Sequence, residues 1–332
     1  MPRLPNRVFM CVGCAFANMS MVVLLTAIGG DISQGVATII RECRADYRLV
    51  GVDVHSQHGG HKFVDCFSIV PPANSSDYLF KLKSVVVEQA VNLVFPLSDP
   101  ELVALWPFRQ LDTNVEWMTA GSGVVKAGVD KLATAQMLSA LGLPGPWTYP
   151  VSEGLPKTFP CILKGRFGSG SRGVYVIANN EDAIYYSKQY PDAIFQEMLE
   201  PADCEVTCAV YRSWKDDIAS LLMLRRLSGG FTTWAKVIQD SEIALMCEQI
   251  ATGLNLRGSM NIQLRKTKNG PRIFEINPRI SSTALMRHRL GFTDVLWALD
   301  EASGKSVSFP KLPENQIMVR VQGALVFADG SL

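Results

Sequence analysis

The sequence lacks an excess of charge of either sign. Its 32 lysine and arginine residues nearly balance its 31 aspartate and glutamate residues, which leaves a formal net charge of +1. No long run of one charge stands out along the chain. Proteins that bind nucleic acid usually carry a basic patch, because phosphate groups must be neutralised. We therefore expect no nucleic-acid partner. With 332 residues, 48% of them hydrophobic, the chain is long enough for two or three subdomains.

Motifs for zinc binding, disulfide formation and nucleophilic catalysis are also missing. The eight cysteines are scattered, several of them within apolar stretches, so we expect reduced and buried thiols. Cys11 with Cys14, and Cys204 with Cys208, could form metal pairs, but neither has a second pair at zinc spacing. We find no arrangement of Ser, His and Asp for nucleophilic catalysis.

The first thirty residues are apolar and have two interpretations. Arg3 and Arg7 precede an apolar stretch over residues 8–30, as in a signal peptide or a membrane span. We favour the alternative that Met21 begins the first buried strand of an α/β domain, which ends before Gly29 and Gly30. Residues 1–20 are then an extension outside the fold. On this interpretation we expect a cytoplasmic protein with no membrane partner.

Strands and helices alternate from residue 21 to about residue 120. Predicted strands near 22–27, 49–54, 67–70 and 92–95 are separated by predicted helices near 32–43 and 76–90. This alternation predicts a parallel sheet with right-handed crossovers. Gly29 and Gly30, with Asp53 at the end of the second strand, also suggest a dinucleotide site. The glycine spacing is not G-x-G-x-x-G, so an NAD-dependent oxidoreductase is a weaker alternative.

Three of the four histidines follow the second predicted strand. His55, His58 and His61 lie in a Gly-rich loop at a spacing of three residues. A metal or substrate role is one interpretation. We prefer a solvated surface loop, because we see no acidic or thiol side chain nearby in sequence to complete a site.

A predicted β-hairpin over residues 261–277 carries the strongest candidate for a metal site. Glu275 and Asn277 are two residues apart on the return strand, so both side chains leave the same face, while Phe274 and Ile276 face the core. A three-residue loop ending at Gly270 in the left-handed conformation would pair Gln263 with Glu275. Three oxygen ligands on one face suit Mg²⁺. The alternative is an ordinary solvated hairpin.

A Gly-rich stretch over residues 159–177 predicts a phosphate-binding loop between two strands. The first strand ends at Lys164, and the glycines that follow allow backbone N–H groups to close over a polyphosphate. No Gly-Lys-Ser/Thr sequence leads from this loop into a helix, so it is not a Walker A loop. Further along, Arg226 lies in a basic loop over 225–233, which we expect either to close over the reacting groups or to be solvated.

The string Glu-Ile-Asn-Pro-Arg-Ile-Ser at 275–281 resembles the metal-binding signature of the ATP-grasp superfamily. With Gln263, it is most similar to the large subunit of carbamoyl phosphate synthetase and related carboxylate–amine ligases. The resemblance implies that Gln263, Glu275 and Asn277 bind two Mg²⁺ or Mn²⁺ ions against ATP. It also implies that Arg279 faces the γ-phosphate and the acyl-phosphate, and hence is a catalytic residue together with Lys164 and Arg226.

The resemblance extends over most of the chain and implies the nucleotide contacts. Asp130 caps a helix that begins at Lys131, and in the family this lysine reaches the phosphates. The Gly-rich loop corresponds to the mobile flap of the lid, and the segment after it to the hinge that meets adenine and ribose. The implied nucleotide-binding residues are Lys131, Lys164, Gly168, Ser169, Gly170, Gly173, Glu197, Met198, Leu199 and Glu205.

The resemblance implies an α/β architecture of the ATP-grasp type. We expect a parallel α/β domain over 21–120, a linker helix and a small lid over 121–195, and a larger antiparallel-sheet part with the metal site over 196–332. The implied function is an ATP- and Mg-dependent ligase that activates a small-molecule carboxylate as an acyl-phosphate and joins it to an amine. An ATP-binding regulatory or inactive module is the main alternative. The habit of the family suggests a homodimer.

Overall fold

The computed structural model describes residues 21–106, 114–168, 173–321, 323 and 325. Residues 1–20, which we predict to be an extension, lie outside these ranges. The strands in chain order are β1 (Val22–Leu25), β2 (Arg48–Asp53), β3 (Cys66–Ile69), β4 (Leu93–Phe95), β5 (Glu116–Trp117), β6 (Thr148–Pro150), β7 (Cys161–Gly165), β8 (Val174–Ile177), β9 (Ala193–Glu197), β10 (Glu205–Arg212), β11 (Ile218–Ser228), β12 (Phe231–Val237), β13 (Gly258–Thr267), β14 (Gly270–Asn277) and β15 (Ile317–Val319). The α-helices are α1 (Asp31–Cys43), α2 (Tyr78–Glu88), α3 (Asp99–Leu105), α4 (Ser122–Gly128), α5 (Lys131–Ala140), α6 (Asn180–Gln189), α7 (Ser241–Gly253), α8 (Ala284–His288) and α9 (Asp294–Ala302).

The first sheet is parallel and has the strand order β3-β2-β1-β4-β5. Its centre is apolar on both faces, since all four residues of β1 are buried. Val23 and Leu25 pack with α1, whereas Val22 and Leu24 pack with α2 on the opposite face. Burial on both faces is what the continuous apolar run at this position requires. The predicted parallel α/β domain is confirmed.

The second sheet is small and antiparallel, with the order β6-β9-β7-β8. Helix α6 packs on it through Ala183, over a small core that includes Leu163 and Phe195. The domain boundary predicted between residues 195 and 196 falls inside β9. We therefore propose to move this boundary to the linker that follows Glu197, while the other predicted boundaries stay predictions.

The third sheet has six antiparallel strands in the order β14-β13-β10-β11-β12-β15. One face packs on α7 through residues such as Ile262, Leu264 and Ile276. On the other face, Tyr211 and Met223 share a core with α1, α9 and the parallel sheet. The parallel sheet and the large sheet therefore meet in one continuous hydrophobic core, and the cavities described below lie where the large sheet meets the small sheet and the parallel domain.

The structure describes part of the strand predicted near the end of the chain. The alternating pattern predicts a final strand over 316–327; β15 forms its beginning and pairs with β12, and much of the remainder lies outside the described residues. No helix in the described ranges is both long and apolar enough to cross a bilayer.

Candidate functional site

Three cavities lie side by side along the junction of the sheets. The first, of about 210 Å³, lies between the small sheet and β14. The second, of about 270 Å³, lies between the large sheet and the start of α1, and it shares Glu205, Phe274 and Glu275 with the first. The third, of about 290 Å³, shares Arg279 with the second. Most of the predicted site residues line the first two cavities, namely Lys131, Lys164, Gly168, Glu197, Leu199, Glu205, Gln263, Glu275, Asn277 and Arg279.

Gln263, Glu275 and Asn277 lie together on one wall of the second cavity. Gln263 pairs with Glu275 across the hairpin, as predicted. Within the described residues, the side chains of Gln263 and Glu275 form no hydrogen bond and no ion pair, so their oxygens are free to bind a ligand. The Asn277 amide oxygen accepts a long contact of 3.4 Å from Arg279. One carboxylate and two amide oxygens form a hard donor set that fits Mg²⁺.

The hairpin reaches this pairing by a different route from the one predicted. Thr267 pairs with Gly270, so the turn contains only Lys268 and Asn269, and the predicted three-residue loop is wrong. The Thr267 hydroxyl donates to the Gly270 carbonyl and accepts the Asn269 N–H, which stabilises the tight turn. Gly270 does have a positive φ of 92°. The extra residue that the pairing requires is in the strand instead of the loop.

That extra residue is Phe274, which forms a β-bulge in β14. The register shifts by one residue between Gln263 and Leu264 of the partner strand, so Phe274 has no partner of its own. Bulges re-aim side chains, and they are common beside active sites. The prediction that Phe274 faces the core is wrong, because it lines the first and second cavities. Ile276 is buried in the core as predicted.

Lys164 is a buried cation at the wall of the first cavity. Only 7% of its surface is exposed, and its side chain makes no hydrogen bond within the described residues. Burial lowers the pKa of Lys164 to about 8, although the nearby Glu275 carboxylate raises it and Lys131 lowers it further. A buried ammonium without a fixed partner is costly, and an anionic ligand in the first cavity would relieve that cost.

Arg279 is held in place by a residue of the parallel domain. Its Nε and Nη2 donate to the two carboxylate oxygens of Asp99, at 2.7 and 3.0 Å. Burial alone would lower the pKa of Arg279, but the Asp99 carboxylate outweighs this effect and the pKa is raised. Asp99 lies at the start of α3, and the sequence gives no indication of its contact with Arg279. This bidentate pair fixes the plane of the guanidinium between the second and third cavities.

Glu205 is the centre of a buried charge network. Its Oε1 accepts two donors from Arg225, the closer one at 2.5 Å, and its Oε2 accepts Nη2 of Arg265 at 2.8 Å. The predicted contact between Glu205 and ribose would have to share these oxygens with two guanidinium groups. The pairing orients Arg225 in the wall of the second cavity and Arg265 in the wall of the first.

The structure does not bring Arg226 to the site. Residues 225–233 form a hairpin of β11 and β12 rather than the predicted loop, so neighbouring side chains point to opposite faces. Arg226 is exposed, and its guanidinium lies 4.9 Å from the centre of the Trp234 ring. Arg225 is the residue that lines the second cavity. The prediction missed this because it assumed no regular strand.

The lid loop contacts the start of α5. The ammonium of Lys131 donates to the Gly168 carbonyl at 2.5 Å. Asp130 caps α5 as predicted, by accepting the Leu132 N–H, and it also forms two hydrogen bonds with Arg166. Gly168 and Gly173 both have positive φ. Gly173 is not among the walls of the first cavity. Two further predicted residues of this loop, Ser169 and Gly170, lie outside the described residues.

The predicted hinge follows β9. Glu197 and Leu199 line the first cavity, whereas the intervening Met198 does not. The Glu197 side chain accepts the Trp147 N–H at 3.3 Å. Among the described residues, the peptide N–H of Leu199 has no acceptor, while its carbonyl accepts Nη1 of Arg265. This leaves one backbone donor beside the cavity.

The histidine loop fills the space beside Gly29 where the predicted dinucleotide site would be. The Asp53 carboxylate accepts the Gly29 and Val54 N–H groups, and the His58 ring lies where a β-carbon on Gly29 would be. Our preference for a solvated loop is wrong for His58, since this side chain is buried and its Nε2 is 3.9 Å from Asp53. Asp53, His55 and His58 bring ligand atoms within 4.8 Å of one another. However, His58 Nδ1 accepts the Gly60 N–H, so in the neutral ring Nε2 carries the proton and cannot bind a metal.

Asp31 is not singled out by the sequence, although it lines the second cavity. It is the first residue of α1 and lies 3.4 Å from Nη1 of Arg320. Burial raises the pKa of Asp31, against the opposing effect of Arg320. Only the three-dimensional fold brings α1 to the wall that carries Gln263, Glu275 and Asn277, so no local sequence signal identifies this residue.

The C-terminal part of the chain matches a protein family described as "ATP-grasp in the biosynthetic pathway with Ter operon", over residues 189–324. Among curated proteins, the chain is similar to carbamoyl-phosphate synthase from Methanobrevibacter smithii, with 22% identity over 188 residues. This match covers 54% of the chain and 47% of that relative, so the chain spans about half of that protein's length.

Solved structures resemble nearly the whole chain. N5-carboxyaminoimidazole ribonucleotide synthetase from Thermus thermophilus has a TM-score of 0.72 and 17% identity, covering 90% of this chain and 82% of that one. The biotin carboxylase domain of 2-oxoglutarate carboxylase from Hydrogenobacter thermophilus has a TM-score of 0.72 and 13% identity, with 91% and 74% covered. Identities this low establish the fold alone. Residues 189–324 thus match an ATP-grasp family model, and the chain as a whole has the fold of these solved structures.

Proposed function

We propose that this protein is an ATP- and Mg²⁺-dependent ligase that activates a carboxylate as an acyl-phosphate and joins it to an amine. The observation that carries the proposal is the second cavity, where Gln263, Glu275 and Asn277 offer oxygen ligands beside the guanidinium of Arg279. Hard ligands next to fixed cations suit the transfer of a phosphoryl group, which depends on positioning and charge neutralisation.

The first cavity is suited to the nucleotide. Leu199 supplies a free backbone N–H and Ile162 and Phe274 supply apolar surface, which together fit a purine ring. Lys131 and Lys164 lie at the same cavity and would bind the phosphates. Arg265 and Arg225, oriented by Glu205, add positive charge on the path from the first cavity to the second.

Gln263, Glu275 and Asn277 would hold the metal. The family resemblance implies two ions, either Mg²⁺ or Mn²⁺. When bound, the metal would supply positive charge that neutralises the phosphates. The chain's own contribution is to orient these ligands from two paired strands and to keep Arg279 rigid through Asp99. Lys164 stabilises charge on the transferred phosphoryl group, and the lid loop that contacts Lys131 excludes water from the acyl-phosphate.

The similar proteins support this class of reaction. The biotin carboxylase domain was solved as a dimer with MgADP and bicarbonate. The curated relative is named carbamoyl-phosphate synthase, and the other solved structure is named N5-carboxyaminoimidazole ribonucleotide synthetase. From these similar proteins we carry over to this chain only the use of ATP, of a divalent metal, and of a carboxylate and an amine as substrates. A homodimer is likewise part of the proposal.

The proposal is tested with purified protein, MgATP, pooled amino and hydroxy acids, and hydroxylamine as a trap for acyl-phosphate. We expect ADP release and a hydroxamate, both at least 100-fold lower in Glu275→Ala because the metal site loses its carboxylate. Glu248→Ala, on the exposed face of α7, is the control and should match the wild type. If the protein binds ATP but releases no ADP with any of the acids, the result would contradict the proposal and favour an ATP-binding regulatory module.

A further inference from the structure

The third cavity lies outside the nucleotide and metal compartments and has mostly aromatic and apolar walls. It is bounded by the ends of β4 and β5, the end of β10, the start of β13 and helix α9. Its volume of about 290 Å³ suits a small organic molecule. The apolar wall residues are Phe95, Leu97, Trp117, Met118, Tyr211 and Trp214.

Glu301, in the last turn of α9, is a buried carboxylate in this wall. Only 4% of its surface is exposed. Its Oε2 accepts the Tyr211 hydroxyl at 2.8 Å, and its Oε1 accepts the backbone N–H of Trp214 at 2.7 Å. Both donors are neutral, and no ion pair of Glu301 exists in the part of the chain that the structure describes. Each carboxylate oxygen can accept a further hydrogen bond. A buried carboxylate without a cation is costly, so this wall favours a cationic ligand.

The other charges at the cavity strengthen this conclusion. Arg279 pairs with Asp99, and Arg257 pairs at 2.9 Å with Asp216, whose carboxylate it shares with Arg212. Glu116, at the rim, is exposed and forms no ion pair within the described ranges. An anionic ligand would therefore meet two unpaired carboxylates. The faces of Tyr211 and Trp214 would instead add cation–π attraction for an ammonium group.

Arg279 connects this cavity to the proposed chemistry. It is the wall residue that the second and third cavities have in common. A molecule in the third cavity would therefore lie against Arg279, which also lines the second cavity. The third cavity is thus next to the site where the acyl-phosphate is proposed to form.

We infer that the third cavity binds the amine substrate in its ammonium form, with Glu301 as the recognition residue and an apolar or aromatic body against Tyr211 and Trp214. This inference rests on the proposed function, because it names the second substrate of that reaction. Glu301 is a substrate-positioning residue here, and it takes no part in phosphoryl transfer.

The test separates the two half-reactions. Hydroxylamine reports acyl-phosphate formation without the amine substrate, whereas the amine half-reaction is followed as amide formation with ammonia, benzylamine and phenethylamine. We expect Glu301→Gln and Trp214→Ala to raise KM for the aromatic amines at least tenfold. The hydroxamate rate and KM for ATP should stay within twofold. Trp214 is 52% exposed, so its variant keeps the test valid if Glu301→Gln does not fold.

Glu101→Gln is the matched control, because Glu101 is also buried and is held by the neutral hydroxyls of Thr26, Ser98 and Tyr78. It lies away from the third cavity and should not change KM for the amines. Loss of hydroxamate in both third-cavity variants would overturn the inference and assign this cavity to the carboxylate. Unchanged KM for every amine would overturn it as well. Absence of hydroxamate from the wild type would instead overturn the proposed function, and the inference with it.

Discussion

Arg279 owes its orientation to Asp99, which lies 180 residues earlier in the chain. The two side chains are only 9% and 12% exposed, so solvent screens their attraction weakly. Asp99 belongs to the parallel domain, and Arg279 follows β14. One ion pair thus fixes a site residue and ties two parts of the fold together.

Asp99→Ala should destabilise the protein by about 3 kcal/mol, because it leaves the buried Arg279 guanidinium without its ion-pair partner. Urea unfolding measures this change. The comparison is Glu42→Ala, which breaks the exposed pair of Glu42 and Arg289 and should cost less than about 1 kcal/mol. Equal costs for the two variants would show that the Asp99 pair contributes no more than a surface contact.

Lys164 should make nucleotide affinity depend on pH. In the free protein, burial lowers its pKa to about 8, and bound phosphates favour the protonated form and raise that pKa. ATP binding therefore takes up a proton above pH 8, and the affinity for ATP should fall by up to tenfold per pH unit as pH rises through this value. Calorimetric titrations across this window measure the fall.

Lys164→Met is the control for this pH dependence. It should bind ATP more weakly, with an affinity that changes little between pH 8 and 9.5, because the titrating group is absent. A variant that keeps the wild-type pH profile would assign the effect to another residue.

Side chains on regular strands are predictable from the sequence, because alternation by two residues fixes which face they occupy. Glu275 and Asn277 are placed together for this reason. Arg225 and Arg226 are not distinguished, since the sequence pattern predicts a loop there, where alternation does not apply. The positions of Asp31 and Asp99 at the site cannot be predicted from the local sequence, because only long-range packing brings these residues there.

At the scale of elements, the β13–β14 hairpin shows how register can be predicted while its cause is missed. The pairing of Gln263 with Glu275 requires one extra residue between them, and the sequence does not say whether the turn or the strand supplies it. Thr267 stabilises a two-residue turn, so the bulge at Phe274 supplies the residue. The position of Phe274 in the walls of the first and second cavities is a consequence of this bulge.

The lid loop depends on Gly168, whose φ of +103° disfavours any residue with a β-carbon. Gly168→Ala should disturb the loop at its contact with Lys131 and lower kcat/KM for ATP about tenfold. Gly142→Ala is a matched control, because Gly142 also has a positive φ and open space around it but follows α5 away from the cavities. Steady-state kinetics should separate the two; equal losses would mean that backbone strain alone explains the effect.

At the scale of the whole molecule, the site is formed by the junction of the large sheet with the lid and with the parallel domain. The order of sheets and the fold class could be predicted from alternating patterns and from the family resemblance. The three adjoining cavities could not, because their walls combine residues from every part of the chain.

Ligand-linked stability distinguishes the proposed function from the dinucleotide alternative. MgATP at one hundred times its Kd should stabilise the fold by about 2.7 kcal/mol, since it binds only the folded state. NAD should have no effect, because Asp53 and His58 already fill the loop after β1. Thermal unfolding with each ligand measures this, and stabilisation by NAD alone would contradict our assignment of the nucleotide cavity.

The most direct test of the central claim follows oxygen from the carboxylate substrate into phosphate. The acid identified by the hydroxamate assay is labelled with ¹⁸O in its carboxylate, and the phosphate released with MgATP and amine is examined by ³¹P NMR. An acyl-phosphate intermediate predicts one ¹⁸O atom in each phosphate formed. Unlabelled phosphate from an active enzyme would contradict the account, because ATP would then be hydrolysed without activating the acid.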